Sequence, residues 1–285
     1  MPVPVEPPIE TPRTLADAFA ILAGGPHRPI AGGTDVMVQI TGELGPPPDR
    51  MIDLWQLDEL RGVAVDGGSV SLGALTTYTQ LRRSAACREH LPALVDAAAT
   101  IGAAQIQNRG TLGGNVANAS PAGDTLPVLL AMDAEIVVGG GRGERSIPAR
   151  DFWVAYRRTA LEPDELVLRI VIPIVAGRDV RFRKIGTRRA QAISKVVMAL
   201  AWRDTAGRWS DVRLALGSVA DRPIRASSAE RVLEGASPTP ETADRAAAAI
   251  AAEIHPIDDV RSSADYRRAV TSRVLRRLIR DAGGW

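Results

Sequence analysis

The chain has 285 residues, 45 % of them hydrophobic, with 35 basic against 33 acidic side chains and a formal net charge of +2. That length and apolar content suit a sizeable core divided between two domains, and the near-balanced charge, with no basic run interleaved with aromatics, argues against a nucleic-acid footprint. A single cysteine, Cys87, excludes intramolecular disulfides, a CxxC redox pair and an iron–sulfur cluster ligated by this chain alone.

The start, MPVPVEPPIETP, is too broken by proline for a signal peptide, and no apolar run approaches the roughly 20 residues needed to span a membrane. A soluble, cytoplasmic protein is expected. A first helix is expected from Thr11 and Pro12, with Leu15, Phe19 and Leu22 on one face and Gly24-Gly25 as its stop. Arg28-Pro29-Ile30-Ala31 reads as a short buried strand entering Gly32-Gly33. A helix then opens at Thr34 or Asp35 and carries Val36, Met37 and Ile40. Strand, glycine turn and helix start together offer free N–H groups to a phosphate; the same letters also make an ordinary tight turn. A strand follows at 50–54, then a hairpin, 62–66 and 69–74, around Gly67-Gly68. Thr76-Thr77 cap a helix containing Tyr78 and Leu81, and residues 89–100 form an Ala-rich helix.

Residues 105–124, QIQNRGTLGGNVANASPAGD, are dense in glycine and amide side chains and hold one arginine, Arg109. They read either as a polar surface loop or as a loop that brings backbone close to a ligand. A short helix at 125–132 follows, for which Asp124 is a candidate cap. A second hairpin, 134–138 and 145–148, surrounds GGGRGE. These glycines do not make GxGxxG and join two strands, so they read as a turn. Neither a Walker motif nor a Rossmann fingerprint occurs. Residues 151–156 connect to a strand, ELVLRIVIP, and 174–179 form a boundary. Beyond it, strands at 180–185, 193–204 and 209–218 precede helices at 227–233, 241–252 and 262–281, a three-stranded antiparallel sheet backed by helices. His27, His90 and His255 lie far apart without metal-ligand spacing and read as structural or surface residues. The arginines of the last helix, from Arg267 to Arg280, read as a solvated face or a docking surface.

Four segments in order, PIAGGTDV, QNRGTLGGNVANASPAGDTLPVLLAMDAEI, AYRRTALEPDELVLRIVIP and FRKIGTRRAQAISKVVMA, resemble the FAD-binding medium subunit of the molybdenum hydroxylases. The resemblance covers nearly the whole chain and is strongest to the bacterial xanthine-dehydrogenase-like branch. It implies an α+β protein: a two-subdomain FAD-binding fold of the vanillyl-alcohol-oxidase type over 1–176, split near 55–60, and a C-terminal α+β domain over 177–285. It implies that Pro29, Ile30, Ala31, Gly32, Gly33, Thr34, Asp35 and Val36 form one jaw of an FAD clasp, with the N–H groups of Gly32, Gly33 and Thr34 on the pyrophosphate. Thr111, Leu112, Gly113, Gly114 and Asn115 would form the other jaw, and residues 105–110 would shape the approach. Asp124 would fix the ribityl or flavin end. Ile101 stands where some relatives place an aromatic, and Val167 matches a further contact. Lys184 matches a contact near the flavin carbonyl edge, against a plain reading as a solvated strand lysine. Tyr156 matches a tyrosine on the acceptor side, against a plain reading as a buried core tyrosine.

The resemblance further implies partners: a large molybdopterin subunit that carries the substrate chemistry and a small subunit with two 2Fe–2S clusters, assembled as a doubled heterotrimer. No catalytic dyad and no metal site are expected in this chain. NAD+ is the first expectation for the acceptor, ahead of oxygen, a quinone or a carrier protein, although the loop GTRRAQA lacks the carboxylates of eukaryotic NAD-dependent relatives. Two other classes stay open: a stand-alone FAD-dependent reductase or oxidase, and a non-catalytic assembly subunit that has lost FAD.

Overall fold

The structure is a computed structural model that describes residues 7–42, 44–188 and 190–285. The first six residues of the proline-rich start, Glu43, and Arg189 of the 186–192 loop lie outside the described residues.

Three larger sheets, beside a two-stranded pair of Trp153–Ala155 with Arg158–Thr159, organise the described residues. The first is a small parallel sheet in the order Ile9–Glu10, Met51–Asp53, Arg28–Ile30. The helix Leu15–Ala23 buries Ala18 and Leu22 in a core with Ile52, Leu57 and Leu60. The second is a five-stranded antiparallel sheet, Val63–Asp66, Ser69–Gly73, Leu166–Pro173, Glu135–Gly140, Gly143–Pro148. Its central strand serves two cores. The register shifts between Val167 and Arg169, and such an irregularity inverts the side-chain alternation. Leu166 and Leu168 therefore join the core of the first subdomain while Ile170 and Ile172 join the larger one.

The third sheet runs Arg178–Ile185, Val196–Thr205, Arg208–Gly217, Ile224–Arg225. Both of its faces are covered. Val196, Met198, Leu200 and Trp202 pack with the C-terminal helices Ser227–Leu233, Pro240–Glu253 and Ala264–Gly283. The alternate residues Val197, Ala199 and Ala201 belong to the core of the middle sheet, where the helix Leu126–Ala131 packs on the strands. Asp133, held at a positive φ of 52°, ties the same two units together. It accepts hydrogen bonds from Arg178 at 3.3 Å, Arg213 at 3.2 Å and Arg225 at 3.4 Å.

Several expected elements fall elsewhere. The first helix starts at Leu15 with Thr14, not Thr11, accepting from the Asp17 N–H. Arg28–Ile30 is an edge strand with its first two residues exposed, not a buried one. The helix expected over 89–100 is two, Ala85–His90 and Pro92–Ala99, because the proline ring is incompatible with a continuing helix but suits the first position of a new one. Residues 105–124 are not one loop: they contain the helices Ala104–Arg109 and Leu112–Asn118. Residues 151–156 carry the end of a helical turn, Ala149–Phe152, and a strand, Trp153–Ala155. The C-terminal sheet has a fourth strand, Ile224–Arg225, after which only helices follow. Arg267 of the last helix is buried, donating to the Ser218 carbonyl and to Asp259, each at 2.7 Å.

Candidate functional site

The first glycine turn leads from the edge strand Arg28–Ile30 to the short helix Val36–Thr41. Gly33 has φ +76°, a conformation that suits residues without a Cβ. A Cβ on Gly32 would run into the carbonyl of Arg109, so that glycine permits close approach of the next subdomain. Arg109 is itself held with its guanidinium 3.9 Å from the ring centre of Trp55. No protein acceptor among the described residues takes the N–H groups of Gly32, Gly33 or Thr34. Consecutive unpaired N–H groups form an anion-binding concavity.

The second glycine segment is built the other way. Leu112 N–H donates to the Thr76 carbonyl, Gly113 N–H to the Ala74 carbonyl, each at 2.9 Å, and Asn115 N–H to Thr111 at 3.0 Å. Gly114 N–H donates to the Thr111 hydroxyl, which caps the helix Leu112–Asn118, at 3.1 Å. These donors are therefore already paired within the protein. Leu112 and Gly113 are buried, and a Cβ on Gly113 would sit 2.6 Å from that of Ala74. Only Gly114 is exposed, and its nearest neighbour would be the Thr111 hydroxyl.

Two cavities meet between these segments. One, of about 340 Å³, is lined by Pro29, Ala31, Gly32, Gly33, Thr34, Asp35 and Val36 on one side. Thr111, Gly113, Gly114, Asn115 and Val167 face them. The other, of about 1030 Å³, is lined by Ile101, Asp124, Tyr156 and Lys184 and by C-terminal residues including Arg222 and His255. Thr34, Asp35, Tyr78, Asn115, Asn118 and Arg157 line both. Of the expected contacts, Ile30 and Leu112 alone lie on neither wall.

Asp124 does not cap the helix Leu126–Ala131, whose N-cap is Thr125. Its carboxylate instead accepts from Lys184 Nζ at 2.6 Å and from the Ser194 hydroxyl. Lys184 also donates to the Thr100 carbonyl at 3.0 Å, leaving one of its three protons uncommitted. The lysine is not a solvated strand residue: only 8 % of its side chain is exposed. Burial pushes the Asp124 carboxyl above its usual range, opposed by the Lys184 charge and by hydrogen bonds from Lys184 and Ser194. Tyr156 is not a buried core tyrosine; it is 61 % exposed at the mouth of the wide cavity.

Tyr78, Arg157 and Ser194 were missed as site residues from the sequence. Arg157 stands in the AYRRT segment beside Tyr156, and its positive φ of 50° turns the chain at the cleft. Ser194 lies in AISKVV, ten residues beyond Lys184, and only the strand pairing brings it to Asp124. The arrangement as a whole suits a long ligand with an anionic middle. Unpaired N–H groups face one part of the cleft, and a buried ion pair with a spare proton lies in the other.

Residues 5–175 match the family described as the FAD binding domain in molybdopterin dehydrogenase, and 181–282 match the CO dehydrogenase flavoprotein C-terminal domain. The chain is similar to the xanthine dehydrogenase FAD-binding subunit of Escherichia coli O157:H7, 33 % identical over 282 residues and 95 % of each chain. It is also similar to the glyceraldehyde dehydrogenase medium chain of Sulfolobus acidocaldarius, 33 % identical over 90 % of this chain and 91 % of that one. Among solved structures, carbon monoxide dehydrogenase from Hydrogenophaga pseudoflava superposes with a TM-score of 0.92 at 30 % identity, covering 96 % of both chains.

Proposed function

This chain belongs to the FAD-binding medium subunits of the molybdenum hydroxylases, and on that premise we propose how it holds its cofactor and where the electrons go. FAD lies along the joined cavities, with its pyrophosphate on the N–H groups of Gly32, Gly33 and Thr34 and its ring toward Ile101, Asp124 and Lys184. The observation that carries this reading is the pairing of the two ends: unpaired backbone donors at one, the Asp124–Lys184 pair at the other. The FAD-binding domain ends near 176, in keeping with the break between the two matched segments, and its subdomains divide near 55–60.

When bound, FAD supplies the conversion between one-electron and two-electron transfer that joins iron–sulfur clusters to a soluble acceptor. The chain's own residues bind, orient and tune. Backbone N–H groups of the first turn neutralise phosphate charge without adding a titratable group. Asp124, itself held by the Ser194 hydroxyl, and the Thr100 carbonyl fix the Lys184 ammonium, whose remaining proton would serve as a donor to the carbonyl edge of the ring. Apolar Ile101 and Val167 exclude water from the cleft walls.

In this reading the electrons come from two 2Fe–2S clusters of a small partner subunit, in a doubled heterotrimer with a large molybdopterin subunit, and leave to NAD+. Exposed Tyr156 with Arg157 and Arg222 at the mouth of the wide cavity supports a flat, anionic acceptor. The half-exposed Ile193 on the same wall favours a quinone as the second reading. Anaerobic reduction followed by stopped-flow mixing tests the choice. NAD+ should reoxidise the bound flavin at a rate that matches turnover; reoxidation by a quinone alone overturns NAD+. A native mass of half the doubled assembly would overturn the stoichiometry.

A further inference from the structure

One residue at the meeting point of the two cavities has no role so far. Tyr78 opens the helix Tyr78–Arg83 and is 4 % exposed, yet it lines both cavities. Its ring is fixed from several sides. Thr77 and Gln80 close a capping box beneath it. Its N–H donates to the Gly110 carbonyl at 3.2 Å, and a Cβ on Gly110 would come within 2.8 Å of its Cε2. Thr77 also forms a bridge with Thr111, the cap of the second glycine segment. A ring held this firmly presents its hydroxyl at a fixed place, which is what preorganised binding requires.

The phenol oxygen has no hydrogen-bond partner among the described residues, and it is not one of the fully enclosed unpaired polar atoms. It therefore opens on the cleft. Buried tyrosines usually find a partner for the hydroxyl. Burial, with the negative charges of Asp35 and Asp124, pushes this phenol well above its ordinary pKa, so the oxygen keeps its proton and serves as a donor. The polar residues beside it at the junction include Thr34 and Asp35, from the turn whose N–H groups are unpaired.

We infer that the Tyr78 hydroxyl is a cofactor anchor that donates a hydrogen bond to a pyrophosphate oxygen of FAD where the two cavities meet. The inference rests on the FAD reading above and adds a side-chain donor to a phosphate site otherwise made of backbone. Its test is FAD titration of the flavin-stripped full-length chain, read by quenching of flavin fluorescence, for the wild type and Tyr78→Phe. Loss of one hydrogen bond to a charged oxygen should raise Kd about tenfold to a hundredfold. The melting temperature of the flavin-free chain should stay the same, and the 31P resonances of bound FAD should move. An unchanged Kd, or a weaker Kd with an unmoved 31P spectrum, overturns the anchor. A wild-type chain that takes up no FAD overturns the cofactor placement instead.

Discussion

The two glycine segments of the cleft share a composition and differ in what their backbones do. In the first, the N–H groups of Gly32, Gly33 and Thr34 are unpaired among the described residues, and the turn is at most half-buried. In the second, every N–H from Leu112 to Asn115 is paired within the protein, and Thr111, Leu112 and Gly113 are buried. Glycine serves the first by leaving donors open to a ligand. It serves the second by letting a helix lie against the end of the strand Ser69–Gly73, where Ala74 meets Gly113. One segment is a receptor and the other is chiefly frame, with Gly114 as its window on the cleft.

That division can be broken by experiment. The largest effect should come from the frame's far end: Lys184→Met strips a buried carboxylate of its partner and should cost about 3–5 kcal/mol in chemical denaturation. The Asp124 carboxyl is already raised by burial. A raised folded-state pKa means that the native protein gains protons more readily than the unfolded chain, so the loss should shrink as pH falls and grow as pH rises. A loss that is flat with pH would remove the ion pair from the frame.

Gly113→Val should cost about 1–3 kcal/mol in the flavin-free chain by overpacking Ala74, with flavin lost as a consequence of the damaged frame. Gly114→Leu should cost less in the flavin-free chain, at most about 1 kcal/mol, because its one close neighbour is the movable Thr111 capping hydroxyl rather than backbone, while lowering the flavin-to-protein ratio of the purified chain. Equal stability losses at the two positions would erase the distinction drawn between them. The smallest effect is expected at Glu165, beside the narrow cavity, where the Arg145 guanidinium at 2.6 Å holds the carboxyl below its usual range. A lowered folded-state pKa adds stability above the unfolded value that is lost as pH falls through the folded one. Glu165→Gln should therefore be less stable than wild type at neutral pH and converge with it in acid, measured by melting temperature against pH.

Much of this was legible wherever a local rule governs. Gly67-Gly68 announced a hairpin and Thr76-Thr77 a helix cap, and both stand in the structure, the cap at Thr77. The break at Leu91-Pro92 was also written in the letters, but the surrounding alanines outweighed the proline. Other features have no local signature. The strand Ile224–Arg225 is too short to show alternation. The partners of Asp124 lie 60 and 70 residues further along the chain. The tertiary approach of the strand Arg178–Ile185 turned an expected helix cap into half of an ion pair. Most of the residues singled out from the ordered family motifs line the two cavities; the motifs did not tell a glycine with an unpaired N–H group from a packing glycine, because that depends on which carbonyls stand opposite.

The Asp124–Lys184–Ser194 contact has a consequence for how such chains are recombined. Its carboxylate comes from the first matched family segment and its lysine and hydroxyl from the second. A C-terminal domain grafted from a relative therefore has to bring a matching amine and hydroxyl at those two positions. Otherwise the chimaera will bury an unpaired charge at the seam, however well its two halves fold alone.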